Sequence, residues 1–517
     1  MTPARTPAIT PARAAIALAA LALLALAVSQ LEGARAGLEI RTLQVGAIPV
    51  TVFQPVGGTP APVVVIGHGF AGSQQLMLPF ALDLARAGYV AVTYDQPGHA
   101  RNPVPMPGDF LESAVRDQQL LTALDDVLGV ARPLGDGRVA LLGHSMAAQV
   151  VLRYAAEHPA VLATVAVSPF AADHVTTSLP RNLLVVDGAL EPAIVQDAAR
   201  RAVAIGFGGD VRPATTYGDF EAGSARRYDY APGVEHIGVL YSAEARAEAV
   251  AWFDQAFGRV VVDRAPPAIG RALGLMNLAL VALAWPLAAF LPRLKPAPPR
   301  PAAGPSWRRP LVVLVVPALL TPLLLWKVDV RLLPLMLADY LVLHFALYGL
   351  LTLALTRWLR AGATPREPAP GAPGLVAAIL ATAAVTGYVI FAIGLPTDRY
   401  ATAFLPGPGR GAWIPLLFIG TALWFCADER LARGPGMPRW AYPASKFCFV
   451  ASLLLAVALN PGRLFFLVII LPAMALFFLV YGLISRWVFR STGEPLVAGV
   501  ANAAVFAWAI GVSFPLA

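Results

Sequence analysis

Only two cysteines occur in the 517 residues, Cys426 and Cys448, and both lie late in the chain, near the ends of apolar runs. The first half has none, so no disulfide framework holds it and it must fold on its own core. Histidines and carboxylates show no metal-ligand spacing. The one glycine-rich stretch, Gly206-Phe207-Gly208-Gly209, follows a helical pattern rather than a strand and reads as a loop. A metal site and a dinucleotide site are therefore not expected, and no cofactor is implied. Charge is scarce too: charged residues make up 14% of the chain against 57% hydrophobic, which excludes a wholly soluble protein.

The apolar excess sits at the N-terminus and after about residue 270. Runs of spanning length cover 273–291, 310–326, 332–356, 374–396, 412–427, 447–459, 464–485 and 496–517. The run 447–459 is short and closes on Asn460-Pro461-Gly462, so a half-span is an alternative there. Residues 1–37 carry Arg5 and Arg13 ahead of the apolar stretch Ala14–Val28, which reads as a signal-anchor. A cleaved signal peptide ending near Ala34-Arg35-Ala36 is the alternative. Residues 273–517 form a polytopic helical region, joined through 259–272 to the segment 38–258.

Loop charges orient this arrangement. With 38–258 outside the cytoplasm, the inner loops carry Arg293, Lys295, Arg300, Arg308, Arg309, Arg357, Arg360, Arg366, Arg430, Arg433, Arg439, Lys446, Arg486 and Arg490. The outer loops carry Lys327, Arg331, Arg399, Arg410 and Arg463. The positive-inside rule favours that orientation and accounts for the net charge of +8, so the basic balance is not a nucleic-acid signal. Asp339 and His344 fall inside one apolar run. An intramembrane acid by default suggests a function such as transport, but polar contact between helices, or a position near the interface, is the preferred reading.

Within 38–258 the pattern changes. A hairpin over Leu38–Val45 and Ile48–Phe53 precedes apolar strands alternating with amphipathic helices at Leu76–Ala87, Phe110–Gly129, Met146–Glu157, Pro192–Ala204 and Ser242–Phe257. Alternating β and α predicts a doubly wound, mostly parallel sheet, with ligands beyond the carboxyl ends of its strands. Four segments at such ends carry chemistry. Gly143-His144-Ser145-Met146-Ala147 follows an apolar strand with the small residues of a sharp turn that lifts a serine hydroxyl clear of the backbone. An ordinary helix N-cap is the alternative for Ser145. Gly67-His68-Gly69-Phe70 ends an earlier strand. There the Phe70 N–H, with that of Met146, can face a developing oxyanion, while His68 braces the loop. Downstream, Glu191 lies three residues past Gly188, with Asp187 and Asp173 as alternative acids, and His236 precedes the last helix of the segment. Serine needs an imidazole to take its proton, and the imidazole needs a carboxylate to fix its tautomer. His158 reads as a helix end and His174 as a solvated loop residue.

The order Ser145, Glu191, His236, together with Asp95-Gln-Pro-Gly98-His99-Ala-Arg101-Asn102 after the fourth strand, resembles the α/β-hydrolase superfamily. Asp95 and His99 read as loop scaffolding there. The segments around Ser145 look most like its serine aminopeptidase and monoacylglycerol-lipase branch. The resemblance departs from the family pattern at Ala147, Ala100 and Asn102. It implies an eight-stranded α/β fold beside the all-α membrane bundle, and hydrolysis through an acyl-enzyme. Ser145 would be nucleophile, His236 base and Glu191 its orienter. The expected partners are a small-molecule or lipid-like ester and membrane lipids. A peptidase or amidase with the same residues, or a transporter or sensor whose domain only binds ligand, are the competing functions. Ser168–Pro180 is too short for a large lid, which predicts an open pocket.

Overall fold

The computed structural model describes residues 9–107, 113–262, 265–296, 308–329, 331–360, 372–434 and 437–517. The expected helix start at Phe110, the linker residues 263–264, and Arg5, Arg300 and Arg366 of the charge reading lie outside them.

A 25-residue helix, α1 (Pro11–Arg35), leads into β1 (Leu38–Val45) and β2 (Ile48–Pro55). Val45 pairs with Ile48 across the two-residue turn Gly46-Ala47, where Gly46 takes φ 57°, a value that glycine tolerates and hairpin twist requires. Next come β3 (Val63–Gly67), α2 (Leu78–Arg86), β4 (Val90–Tyr94), α3 (Ser113–Ala131), β5 (Val139–His144), α4 (Met146–Glu157), β6 (Val161–Val167), β7 (Leu183–Gly188), α5 (Ala193–Phe207), β8 (Thr215–Tyr217), β9 (Arg226–Ala231) and α6 (Ala243–Ala256). The strand order is β1-β2-β4-β3-β5-β6-β7-β9-β8, parallel from β4 to β9 and antiparallel at both edges. The ninth strand departs from the eight implied by resemblance. β8 is three residues long, too short for any periodicity to announce it.

Side-chain alternation sorts the core into two faces. Val64, Ile66, Leu142 and Val165 join α2 and α6 on one side. Val63, Val65, Leu141 and Val92 meet α3 and α4 on the other, and α5 covers the β7 end of that side. Buried on both faces, the central strands are continuous apolar runs.

The rest is helical: α7 (Ile269–Leu287), α8 (Arg308–Leu325), α9 (Ala338–Arg360), α10 (Ala372–Gly387), a π-helical turn at Tyr388–Ile393, α11 (Gly394–Tyr400), α12 (Ile414–Ala432), α13 (Ala441–Leu459), α14 (Pro461–Leu464), α15 (Leu467–Thr492) and α16 (Pro495–Ser513). Among the described residues, eight helices are long and apolar enough to cross a membrane, counting α1 and the continuous Pro373–Tyr400. The doubtful run 447–459 belongs to one of these, α13. Lys446 ends the apolar run in the sequence, but it is buried against Asp428 of α12, so the helix continues back to Ala441. The shorter apolar helix is instead Leu311–Leu325, which carries Pro317 and Pro322.

Successive helix ends alternate between two levels. At one level, Leu516 donates its N–H to Gly98 O at 2.7 Å and accepts from Met106 N–H at 2.9 Å, and Met336 N–H reaches Pro515 O at 2.9 Å. At the other, Lys295 pairs with Glu494 at 3.0 Å and Arg293 donates to Arg490 O at 2.7 Å. The α/β domain sits wholly on the first level. Asp339 is not mid-span. It lies in the first turn of α9 and accepts the N–H groups of Leu332 and Leu333, both at 3.0 Å. His344 is buried between Tyr340 Oη (3.3 Å) and Ser452 Oγ (3.1 Å), a polar contact between helices.

Candidate active site

At the end of β5 the chain must pass from strand to helix within one residue. Ser145 takes φ 57° and ψ −116°, a strained conformation for a residue with a side chain. Small neighbours make this possible. A Cβ at Gly143 would lie 2.3 Å from the carbonyl oxygen of Ala147, and one at Gly67 would lie 2.8 Å from the Ala147 Cβ. A larger residue at 143 would force α4 away from the sheet.

The turn presents Ser145 Oγ to His236 Nε2 at 2.9 Å, and His236 Nδ1 to Glu191 Oε2 at 2.8 Å. His236 arrives on the loop after β9. Glu191 follows β7, and its other oxygen accepts the Gly188 N–H at 3.0 Å and the Ser168 hydroxyl. With Oε1 occupied, Oε2 is left to the imidazole. Ser145 and Glu191 are buried, and the His236 side chain is 12% exposed.

The alternative acids stand apart. Asp187 is buried and accepts the Tyr228 hydroxyl at 3.1 Å; burial and the neighbouring Glu191 raise its pKa to about 7. Asp173 and His174 are exposed on the loop after β6, and His158 ends α4 with its Nδ1 on Tyr154 O. The segment 206–209 is the end of α5, with Gly208 left-handed at its cap.

The loop after β3 passes directly over the serine: a Cβ at Gly69 would lie 2.9 Å from Ser145 Cβ. His68 fixes that loop. Its Nδ1–H donates to Gly69 O at 2.8 Å and its Nε2 accepts the Gln96 N–H at 3.1 Å, while burial lowers its pKa to about 4. Met146 is the first residue of α4, so its N–H has no acceptor within the helix. Asp95 accepts N–H groups from Gln74 (2.9 Å) and Arg101 (3.3 Å), and burial raises it to about 6. His99 donates from Nδ1 to Pro97 O at 2.8 Å and is held neutral by burial. Both brace loops.

Three neighbours escaped the sequence reading. Ser168, with φ 54° at the end of β6, orients Glu191. Its only signal was its place at the end of the strand beside the one that ends at Ser145. His144 Nε2 lies 2.9 Å from the His236 carbonyl oxygen and ties the His236 loop to the turn at Ser145. Burial, then the nearby His236, push the His144 pKa well down. Phe170 packs its ring 5.3 Å from that of His236.

The loops around Ser145 also meet the helical region, which the length of Ser168–Pro180 does not address. Phe466, at the start of α15, places its ring 4.7 Å from Phe70. Met336, before α9, is buried in the apolar cluster against which Phe70 and Met146 pack. Arg410 is buried and donates to the carbonyls of Ala100 (2.9 Å), Gly98, Gly511 (3.1 Å) and Phe514 (2.6 Å). Arg101 pairs with Asp398 at 2.6 Å, and Ser73 Oγ lies 3.2 Å from Thr402 Oγ1. These contacts come from parts of the helical region far along the chain from Ser168–Pro180, at Met336, Asp398, Thr402, Arg410 and Phe466.

Comparison with known proteins agrees with this architecture. Residues 62–235 match a family model described as the alpha/beta hydrolase fold. Esterase YjfP of Escherichia coli (strain K12) is 31% identical over 173 residues, covering 32% of this chain and 65% of that protein. The chain thus spans slightly under two thirds of the relative it matches. Among solved structures, a CIB-like hydrolase from Thermoplasma acidophilum is 16% identical, with 41% of this chain and 94% of that one covered at a TM-score of 0.31. An E-2-(acetamidomethylene)succinate hydrolase is 15% identical, with 42% and 99% covered at a TM-score of 0.30. The chain has an α/β-hydrolase fold, matched over residues 62–235, and carries long apolar helices beside it.

Proposed function

We propose that this protein is a membrane-anchored serine hydrolase that cleaves carboxylic esters, with its α/β domain outside the cytoplasm. The observation that carries the reading is the continuous relay from Ser145 through His236 to Glu191, with distances of 2.9 Å and 2.8 Å. Ser145 Oγ attacks the ester carbonyl as His236 Nε2 takes its proton. The N–H groups of Phe70 and Met146 receive the oxyanion. The tetrahedral species collapses, and the imidazolium returns the proton to the departing alkoxide, leaving an acyl-serine and a free alcohol. Water then attacks the acyl-serine by the same proton route and releases the acid. Glu191 holds the imidazole tautomer throughout and stabilises its charged form.

An ester is favoured over an amide by the relative named an esterase. A lipid-like ester is favoured by the apolar neighbours of the oxyanion residues, Met336 and Phe466, which the helical region contributes. A domain that only bound ligand would have no need of an intact relay. The test is labelling of the full chain by a fluorophosphonate, followed by a panel of short and long acyl esters and aminoacyl amides. Ser145→Ala is expected to abolish labelling and to lower turnover roughly a thousandfold or more. Labelling of the variant at the wild-type level rules out Ser145, and turnover of amides alone replaces the esterase reading with an amidase.

A further inference from the structure

At the level farthest from the α/β domain, a groove of about 840 Å³ runs between α13 and α15, beneath the connection from α12. The hydrolytic site makes no use of it. Five cations line it, and two of these are neutralised. Lys446 pairs with Asp428, and Arg433 lies 3.2 Å from Glu429, which also accepts the hydroxyls of Tyr442 (3.0 Å) and Ser485. Both buried acids are thereby consumed. The other three, Arg439, Arg486 and Arg490, are exposed at the mouth and, among the described residues, have no carboxylate partner.

Below the mouth the groove is apolar. Gly482 sets its depth: a Cβ there would lie 2.9 Å from the Tyr442 ring, so α13 and α15 approach closely and leave a channel along their outer side. Leu479, 63% exposed, and Val450 form its walls. On α15 the lining residues from Ala475 to Arg490 recur every three or four positions, one helical face. Those fifteen steps span about 22 Å at the helical rise. One leaflet of hydrocarbon is about 15 Å deep, so this length takes an acyl chain and its headgroup. A soluble anion would occupy the mouth and leave the apolar channel unexplained.

We propose that the groove binds an anionic phospholipid of the leaflet facing away from the α/β domain. Its phosphate sits among Arg439, Arg486 and Arg490, and an acyl chain lies along Val450, Leu479 and Gly482. Basic pockets between membrane helices suit such headgroups by charge, and the channel supplies the chain's contact. This assignment is independent of the hydrolytic reading.

The test uses the full chain in phosphatidylcholine nanodiscs titrated with phosphatidylglycerol, with bound lipid counted by native mass spectrometry. Arg439→Gln/Arg486→Gln is expected to weaken retention about tenfold or more. Arg357→Gln/Arg430→Gln, which removes two exposed charges of the same level outside the groove, is expected to change it less than about twofold. Leu479→Trp keeps every charge but fills the channel, and is expected to weaken retention as well. Melting in phosphatidylcholine alone checks that each variant is folded. Wild-type retention by the groove variant overturns the proposal. Equal loss in the Arg357/Arg430 variant also overturns it, since attraction is then a property of the whole surface. Displacement of the lipid by millimolar inorganic phosphate overturns it in favour of a free anion.

Discussion

Glu191 and Asp187 sit four positions apart at the end of one strand and are held for opposite ends. Glu191 takes donors on one oxygen and offers the other to His236. Asp187 meets Tyr228, and burial first, then Glu191, raises its pKa from 3.8 to about 7. The folded protein therefore keeps a proton on Asp187 that the unfolded chain releases between pH about 4 and about 7. In that window the folded state binds more protons, so stability falls as pH rises. Asp187→Asn keeps an acceptor for Tyr228 and is expected to flatten part of that fall, as read by melting temperature from pH 4 to 8. An unchanged slope would mean that Asp187 ionises normally. Glu191→Gln is expected to lose activity by roughly a thousandfold or more while its melting point holds. Asp173→Asn, at an exposed position, should leave both alone, and its inactivity would move the acid to the loop after β6. Spacing from Gly188 put Glu191 first among three candidate acids, with Asp187 and Asp173 left open, and it is Glu191 that lies against His236. Nothing local announced Ser168, whose role exists only once β6 and β7 are neighbours.

Elements were legible where their period was long and their punctuation small. The boundaries of α4 followed from Met146–Glu157, and the hairpin from Gly46. β8 was missed because three residues carry no alternation, and the backward reach of α13 because Lys446 looked like an end when its charge is met inside the bundle. The tightest element-scale demand is at the elbow. Gly143→Ala would drive a Cβ to 2.3 Å from Ala147 O and 2.8 Å from Ala148 N, and both are backbone atoms that cannot rotate away. The variant is expected to lose about 1–3 kcal/mol of stability, the scale of overpacking in a filled core, and to lose labelling with it. Thermal melts of the full chain in detergent decide this. A variant as stable and as reactive as the wild type would show that α4 can shift without cost.

At the scale of the whole molecule, the sequence divides into a hydrolase-like segment and an apolar helical segment, and nothing in either half announces that they close on each other. The joining contacts link positions far apart in the chain: Arg410 to Gly98 and Ala100, Leu516 to Gly98 and Met106, Arg101 to Asp398. They make a topological prediction sharper than loop charge alone. Because Leu516 is hydrogen-bonded to the loop after β4, residue 517 is expected on the same side of a membrane as the α/β domain, whichever side that is. This requires α7, α8, α9, Pro373–Tyr400, α12, α13, α15 and α16 each to cross, with α8 crossing despite its shortness and α13 crossing in full. The arginine-rich loops then share the opposite side, which the positive-inside rule assigns to the cytoplasm. Reporters active only outside the cytoplasm, fused after Gly258 and separately after Ala517, are both expected to be active. Two inactive reporters would reverse the orientation and leave the fold intact. One active and one inactive would break the contact between Leu516 and Gly98, and with it the seam between the α/β domain and the helical region.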